Sequence, residues 1–313
     1  MQARLVIGGY ASLDRIIRID KPASEGRTSL VINKNNSDIF VGGCSVNIAV
    51  LLAKLGVPAL PLLRVGSDYE SSGFKSYLDL AGVDLSAIVQ CPSDRMPNCY
   101  LIESEEGNHI TLFYPGSQHE KYFQPYQGEW FAGATAAILT VGSRLDNAAF
   151  LESCKTYELP LIFGMKMDVD AFPEELLREI LTYARIIFMN ESEEQDIVEF
   201  LNLSSIEQLF DLGKAQILIT TRGKEGSTYR EKTGQTIISG QVPIVQPKCV
   251  EDTTGSGDAY IAGFTYAKLQ GYSTAAACSM GSTLASIVLE GIGSTTNAPA
   301  PEVLLARFKE NHQ

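Results

Sequence analysis

The residues with the clearest chemical signature form one run late in the chain, from Asp252 to Ala259, with the sequence DTTGSGDA. Gly255 and Gly257 flank Ser256 and allow a tight turn whose successive backbone N–H groups point in one direction. A helical pattern follows at once, so these N–H groups would stand at the positive end of a helix, where an anion is stabilised. The run therefore predicts a site for a developing negative charge.

Asp258 falls in the first turn of that helix, beside the predicted anion site. A carboxylate next to an anion costs energy unless it has a function there, and the suitable function is to take a proton from a hydroxyl nucleophile. The alternative is an ordinary helix start in which Asp258 only stabilises the helix dipole. That alternative leaves Asp252 and both glycines unexplained, so the pattern favours phosphoryl transfer to an alcohol.

The size and composition of the chain favour a globular protein. It has 313 residues, of which 45% are hydrophobic, and a formal net charge of −12. That length suits one large or two modest domains with a substantial core, and the acidic balance argues against nucleic acid as a partner. Six cysteines without a C-x-x-C spacing, together with three histidines, argue against a zinc site.

Three features favour a cytoplasmic protein. The cysteines are scattered, as in proteins of a reducing compartment. The first residues read directly as a strand and lack the architecture of a signal peptide. The stretch from Tyr272 to Leu289 carries no charge but is rich in Ser, Thr and Ala, which predicts a buried helix rather than a membrane span. We therefore expect no membrane partner.

Alternating strand and helix patterns predict the body of the molecule. The apolar run Leu5–Gly9 is typical of a central strand, and from residue 136 onward strands and helices alternate regularly, which predicts an α/β fold with a mostly parallel sheet. Leu60–Val65 continues the parallel-strand pattern. Two other regions predict small antiparallel strands: the short segments Ile16–Ile19, Ser29–Ile32 and Asp38–Val41, and a hairpin of Met96–Glu103 and Asn108–Tyr114 around an acidic turn. The α/β body then comprises residues 1–14, 41–95 and 115–313, and a small inserted sheet comprises residues 15–40 and 96–114.

Polar residues around the first helix are candidate ligand contacts. Asp14 follows the first strand, where the carboxyl end opens into a loop, and ligands gather at that edge of a parallel sheet. Gly42 and Gly43 begin a helix and let a ligand approach the backbone, while Asn47 can donate and accept hydrogen bonds toward hydroxyls. The plainer alternatives are a solvated carboxylate for Asp14 and a simple tight turn for the glycines.

Asn190 and Glu193 follow a later strand and are candidates for organising magnesium through water, since this ion favours oxygen ligands and keeps several waters. The alternative is a helix N-cap followed by an acidic first turn. The chain contains no G-x-x-x-x-G-K-[ST], G-x-G-x-x-G, H-E-x-x-H or G-x-S-x-G motif. Any phosphate handling would therefore fall to the late loop Gly255–Asp258.

These motifs resemble the two signatures of the ribokinase/PfkB carbohydrate kinases: the late run DTTGSGDA, and an earlier signature that centres on paired glycines. The resemblance covers nearly the whole length, with support from the segments Val65–Asp68, Gly82–Asp84, Asn190–Glu193 and Thr221–Gly226. It implies a ribokinase-like three-layer α/β/α fold with a small inserted β-lid (residues 15–40 and 96–114). It also implies transfer of a phosphoryl group from ATP, with Mg²⁺, to a primary hydroxyl.

The resemblance implies a role for each matching residue. Asp258 corresponds to the catalytic base, and Gly255, Ser256 and Gly257 correspond to the anion hole for the transferring γ-phosphoryl group. The implied substrate contacts are Asp14, Gly42, Gly43, Asn47 and Tyr114. The implied nucleotide contacts are Asn190, Glu193, Thr221, Gly223 and Gly226, with Glu193 reaching Mg²⁺ through water. Asp252, Thr254 and the Gly291–Thr295 region fall where many members bind a monovalent cation, usually potassium, and in several members the β-lid forms a homodimer.

The acceptor implied by the resemblance is a small sugar or nucleoside. The segment Ile110–Gly116 is most similar to the branch that includes prokaryotic adenosine and nucleoside kinases. Phe113 and Tyr114 could stack on a base, or they could simply pack under the β-lid. Residues 163–168 lack the Asp-x-Asn-x-Arg pattern of many sugar kinases, so no role is assigned to them.

Two alternatives to this function stay open. One is a phosphofructokinase-type enzyme that phosphorylates a sugar phosphate, which would need cationic side chains near Asp14; Arg15, Arg18 and Arg27 are the candidates. The other is a regulator that binds a sugar or nucleoside without catalysis. An intact Asp258 beside the anion loop argues against the second alternative.

Overall fold

The computed structural model describes residues 4–106 and 109–311. In chain order its strands are β1 (Leu5–Gly8), β2 (Ser12–Ile19), β3 (Phe40–Gly42), β4 (Ala59–Pro61), β5 (Leu63–Val65), β6 (Ile88–Gln90), β7 (Asn98–Ser104), β8 (His109–Tyr114), β9 (Ala136–Leu139), β10 (Leu161–Gly164), β11 (Ile186–Asn190), β12 (Ile217–Thr221), β13 (Ser227–Thr233) and β14 (Thr236–Val242). The α-helices are α1 (Cys44–Lys54), α2 (Phe74–Ala81), α3 (Gly128–Phe131), α4 (Arg144–Thr156), α5 (Glu174–Tyr183), α6 (Glu191–Phe200), α7 (Leu209–Leu212), α8 (Ser256–Leu269), α9 (Thr274–Val288) and α10 (Pro301–Glu310).

The main sheet has eight strands in the order β14-β13-β12-β11-β10-β9-β1-β4. The strands from β12 to β4 run parallel, and β13 and β14 extend that edge as an antiparallel pair. Apolar runs such as the sequence LVIG of β1 form the parallel strands, because helices cover both faces and leave no solvated side. In β1, Leu5 and Ile7 pack into one core cluster and Val6 into the opposite one. The predicted three-layer α/β fold is confirmed.

The small sheet consists of β3, β2, β7 and β8, in that order. Its outer pairs are antiparallel, as expected, but β2 and β7 in the centre run parallel. The predicted hairpin of β7 and β8 is confirmed, although its turn residues Gly107 and Asn108 lie outside the described residues. The sequence predicted that Asp14 lies in a loop, but β2 begins at Ser12 and Asp14 lies within this strand.

Two further strand predictions were wrong in detail. The segment 29–32 forms only an isolated bridge between Val31 and Ile19, and not a full strand. The single strand expected at residues 60–65 is two short strands, since β4 pairs with β1 while β5 pairs with β6. The predicted buried helix at residues 272–289 is confirmed as α9. Across residues 4–106 and 109–311, none of the helices has both the length and the apolar character needed to cross a bilayer.

Candidate active site

Asp258 occupies the third position of α8, as the sequence predicted. The helix begins at Gly255, whose φ of 77° is a left-handed conformation that glycine adopts without strain. This glycine brings no side chain to cap the N-terminal N–H groups of α8, so they remain suited to an anion. On the other side of the cleft, Asn47 of α1 donates from Nδ2 to Asp258 Oδ2 over 2.7 Å. Two helix starts therefore converge on one carboxylate.

The environment of Asp258 acts on its pKa in two opposing directions. Burial raises the pKa, while hydrogen bonds from Asn47 and Cys44 and the charge of Lys166 lower it. Burial is the largest of these effects, and the pKa stays above the ordinary value. A carboxylate with a raised pKa is a better proton acceptor once ionised, and the donors around it oppose the effect of burial.

Asn47 has a second hydrogen-bonding atom without a partner. Its side chain is only 3% exposed, and its Oδ1 is buried without a hydrogen-bond partner among the described residues. A buried acceptor left in this state costs free energy unless a ligand satisfies it. A hydroxyl group on a substrate is a donor of the kind that Oδ1 lacks, which supports the predicted substrate contact.

Asp14 is held against the glycine pair at the start of α1. Its Oδ2 would lie 1.9 Å from a Cβ placed on Gly42, so only glycine fits beside it. Gly43 has a φ of 95°, and a Cβ there would lie 2.3 Å from the carbonyl oxygen of Tyr10. The hydroxyl of Ser12 donates to Asp14 Oδ1. The paired glycines thus let the small sheet, the end of β1 and α1 meet around one carboxylate.

Asp14 should make the stability of the protein depend on pH. Burial raises its pKa from 3.8 to about 6, the Ser12 hydrogen bond opposes this, and the charges of Asp258 and Asp252 add to it. Because the folded state holds the proton more tightly, this stabilisation is complete below pH 4 and is lost as the pH rises through about 6. At pH 8 we expect Asp14→Asn to unfold at a higher temperature than wild type, with a free energy of unfolding greater by up to about 3 kcal/mol.

The measurement is a thermal unfolding series from pH 4 to pH 8 on both proteins. The difference in Tm should be near zero at pH 4 and should grow through pH 6. Ser12→Ala removes the hydroxyl that holds the carboxylate and serves as the matched control, since it should lower stability more at pH 8 than at pH 4. A constant difference between wild type and Asp14→Asn across the series would contradict the raised pKa.

Asp252 ties the anion loop to a second loop near the C-terminus. Its Oδ1 accepts from the backbone N (2.9 Å) and Oγ1 (2.7 Å) of Thr254, and its Oδ2 accepts from the backbone N of Gly293 over 2.8 Å. A Cβ on Gly255 would lie 2.5 Å from Cβ of Ser294, so the two loops are in close contact. Asp252 therefore fixes the conformation that presents the α8 N-terminus.

An open cavity of about 290 Å³, which we call the inner cavity, adjoins Asp258 at the carboxyl ends of β9 to β12. Its walls include Cys44, Lys166, Asn190, Glu193, Thr221, Gly257 and Asp258. Asn190 and Glu193 form the capping box of α6: Asn190 Oδ1 accepts from the backbone N of Glu193, and Glu193 Oε2 accepts from the backbone N of Asn190. Burial raises the pKa of Glu193. The plainer reading of this pair as a helix cap therefore holds, while both side chains also line the cavity.

Gly223, Gly226 and Tyr114 are among the predicted contacts that do not line the inner cavity. Gly223 and Gly226 form the tight turn after β12, where a Cβ on Gly226 would lie 2.1 Å from the carbonyl oxygen of Val242. Tyr114 donates from its hydroxyl to Asp94 Oδ1 over 2.5 Å and is 47% exposed. The tight turn explains why glycine stands at 226, and the hydrogen bond to Asp94 gives Tyr114 a structural role.

A second open cavity, which we call the lid cavity, lies under the small sheet and has a volume of about 620 Å³. Its walls are Tyr10, Phe113, Pro115, His119, Glu120, Ser143, Arg144, Asp168, Val169, Asp170, Ala171 and Pro173. The rings of Tyr10 and Phe113 contact each other, with centroids 4.9 Å apart. Alternation along β8 sends Phe113 to this cavity and Tyr114 to the other side. Tyr10 also adjoins the start of α1, because its carbonyl oxygen accepts from the hydroxyl of Ser45 over 2.9 Å.

The structure adds three residues that sequence reasoning missed: Tyr10, Cys44 and Lys166. Cys44 begins α1 and its thiol hydrogen-bonds Asp258, while burial raises the pKa of that thiol and keeps it protonated. Lys166 follows β10, in the segment to which the sequence assigned no role. The available signal was position, since Lys166 comes two residues after a parallel strand whose carboxyl end faces the ligand edge.

Comparison with known proteins agrees with this geometry. Residues 2–301 match the family described as pfkB family carbohydrate kinase. A nucleoside kinase of Methanocaldococcus jannaschii is 28% identical over 97% of this chain and 96% of its own length, and one of Methanothermobacter thermautotrophicus is 27% identical over 97% and 95%. The crystal structure of a Methanocaldococcus jannaschii nucleoside kinase, an archaeal member of the ribokinase family, superposes with a TM-score of 0.84 at 26% identity, covering 99% of each chain.

Proposed function

This chain belongs to the pfkB family of carbohydrate kinases and is an ATP-dependent sugar or nucleoside kinase, and we propose that its acceptor is a nucleoside. The observation that carries this proposal is the lid cavity, a space with aromatic side chains in its wall. Its Tyr10 adjoins the start of α1, the helix that carries Asn47. A free sugar would satisfy the polar groups around Asp258 but would leave this large cavity empty. A base attached to a ribose would extend into it.

The reaction follows from the groups around Asp258. The ionised carboxylate takes the proton of the acceptor's primary hydroxyl, and the hydroxyl oxygen forms a bond to the γ-phosphorus of ATP. The bond from that phosphorus to the β–γ bridging oxygen breaks, and its electron pair leaves with ADP. The N–H groups at the start of α8 stabilise the charge on the transferring group. The products are a phosphate monoester, ADP and a proton, which Asp258 returns to solvent.

Magnesium is expected to enter with the nucleotide. Within the described part of the chain no group of three or more His, Cys, Asp or Glu side chains is arranged to hold a metal ion. This agrees with an ion that is bound chiefly by phosphate oxygens and keeps its waters, one of which Glu193 would contact. When bound, the ion neutralises part of the triphosphate charge. Both carboxylate oxygens of Asp252 accept hydrogen bonds, from Thr254 and from the backbone of Gly293. A monovalent cation bound by Asp252 and Thr254 stays a prediction.

The chemistry of the lid cavity suits a base. Tyr10 and Phe113 offer aromatic faces for stacking, which contributes roughly 1–3 kcal/mol per base in other proteins. Asp168, Asp170 and His119 line the same cavity and offer polar groups for the edge of a base. The two nucleoside kinases at 27–28% identity support the same acceptor class.

The sugar-phosphate alternative finds less support in the positions of two of its three candidate cations. Arg15 donates from Nη1 to Asn98 Oδ1 over 2.7 Å and lies over the ring of Tyr100. Arg18 donates from Nη2 to the carbonyl oxygen of Glu251 over 2.7 Å. Both guanidinium groups are therefore engaged in protein contacts and do not stand free for a second phosphate.

The test is a substrate panel of adenosine, inosine, guanosine, cytidine, ribose, fructose and fructose 6-phosphate, each with ATP and Mg²⁺, with ADP formation as the readout. We expect at least one nucleoside to be phosphorylated with a kcat/KM at least tenfold above that for ribose. The same ligands should raise Tm in the presence of a non-hydrolysable ATP analogue, because a ligand that binds only the native state stabilises it.

The result of this panel decides between the candidates. Turnover of ribose or fructose alone would overturn the nucleoside proposal, and turnover of fructose 6-phosphate would favour the sugar-phosphate kinase. A nucleoside that raises Tm but causes no ADP formation would favour the regulator. Phe113→Leu should weaken the binding of nucleosides and leave the binding of ribose unchanged, which isolates the contribution of the lid cavity. The cytoplasmic location and a homodimer through the β-lid stay predictions.

A further inference from the structure

Lys166 lies in the inner cavity, where its charge acts on the two carboxylates of Asp258 and Glu193. It comes two residues after β10 and lines the inner cavity together with Asp258 and Glu193. Of the described residues that line this cavity, Lys166 alone has a basic side chain. It is exposed and forms no ion pair with any described residue, so its ammonium group is free to meet a ligand.

Packing of the main chain fixes where this side chain begins. Gly164, the last residue of β10, lets α8 approach closely, since a Cβ there would lie 2.9 Å from Cδ1 of Ile261. On the other side, the backbone N–H of Met167 hydrogen-bonds the carboxylate of Glu193. The backbone on both sides of Lys166 is thus held by the two elements that carry Asp258 and Glu193.

The charge of Lys166 reaches the groups on both walls of the cavity. It opposes the rise that burial causes in the pKa of Asp258, of the Cys44 thiol and of Glu193. A triphosphate that enters between Asp258 and Glu193 meets two carboxylates and needs a compensating cation. A lysine is a compact point charge on a flexible stem, which suits a phosphate group that moves between donor and acceptor.

We propose that Lys166 is a catalytic residue whose Nζ contacts the γ-phosphoryl group of ATP as it passes to the acceptor hydroxyl. In this role its ammonium group adds to the N–H groups of α8 in stabilising the charge on the transferring group. No proton moves to or from Lys166 in the step. This inference rests on the proposed kinase function, and it assigns a role to a segment that departs from the pattern of many sugar kinases.

The test uses Lys166→Met, which keeps the length of the side chain and removes the charge. We expect kcat to fall about 100-fold, as for loss of one group that stabilises transition-state charge. We also expect affinity for a non-hydrolysable ATP analogue to fall about tenfold while affinity for ADP stays within about twofold, because only ATP has the γ-phosphate. Lys166→Arg should recover part of both losses. Lys214→Met is the matched control and should change neither, because Lys214 precedes β12 at the amino ends of the strands, away from the inner cavity.

The outcomes separate this inference from the proposed function. If wild type phosphorylates an acceptor and Lys166→Met turns over at the wild-type rate, only the role of Lys166 is overturned. An equal loss of ATP and ADP affinity also overturns it, because the contact would then be to the phosphates that both nucleotides share. If wild type transfers no phosphate to any acceptor, the kinase proposal itself fails, and the ratio of ATP to ADP affinities still reports on Lys166. An unchanged Tm shows that the variant is folded.

Discussion

Asp258→Asn is expected to lower kcat by roughly 10³-fold or more while leaving acceptor and ATP affinity within a few fold of wild type. The amide keeps the size of the carboxylate and can still accept a hydrogen bond from Asn47, so the geometry at the start of α8 should survive. What is lost is the group that takes the proton. The measurement is steady-state kinetics with the preferred acceptor, together with direct binding of acceptor and ATP analogue.

Removal of a buried negative charge has a second effect that distinguishes this variant. Burial raises the pKa of Asp258, so replacement by a neutral amide should leave Tm unchanged or raise it. Glu302→Gln is the matched control, because Glu302 is also a carboxylate in the first turn of a helix, but one on α10. Its kcat should stay within about twofold of wild type, since it is remote from the cleft. Wild-type turnover by Asp258→Asn would refute the assignment of Asp258 as base.

The body of the fold could be predicted from the sequence because its signals are local. Parallel strands buried on both faces are short apolar runs, and those of β1, β9 and β11 stand out between helical patterns. The small sheet was harder, because its central pairing joins Asp14 to Cys99 across a long stretch of chain. No local pattern reveals whether such a pair is parallel or antiparallel. For the same reason Asp14 looked like a loop residue although it lies within a strand.

The candidate site divides in the same way. Asp258 could be predicted because a glycine turn and a helix start are encoded within a few residues. The choice between Phe113 and Tyr114 depends on the register of β8, where a shift of one residue exchanges the two faces. Lys166 depends on how closely α8 packs on β10 at Gly164, a tertiary distance that no motif records. Sequence reasoning therefore misses residues whose function depends on tertiary contacts between elements that are distant in the chain.

Gly255→Ala is expected to lower kcat about 100-fold or more, as for loss of groups that stabilise an oxyanion. The φ of 77° at this position is costly for alanine, by roughly 1–2 kcal/mol. The new Cβ would also lie 2.5 Å from Cβ of Ser294, so the anion loop must move away from the loop that Asp252 ties to it. That movement shifts the N–H groups of α8 relative to the phosphate. Steady-state kinetics and thermal unfolding measure the two effects.

A substitution at a second glycine separates the effect of backbone strain from the effect of displacing the anion loop. Gly271 lies just after the end of α8 with a φ of 81°, and a Cβ there meets no atom within 4 Å. Gly271→Ala therefore carries the same backbone strain without a clash and far from the phosphate. We expect both variants to lose stability, but only Gly255→Ala to lose turnover. If the two variants lost turnover equally, the effect would come from general destabilisation, and the start of α8 would have no special part in holding the transferred group.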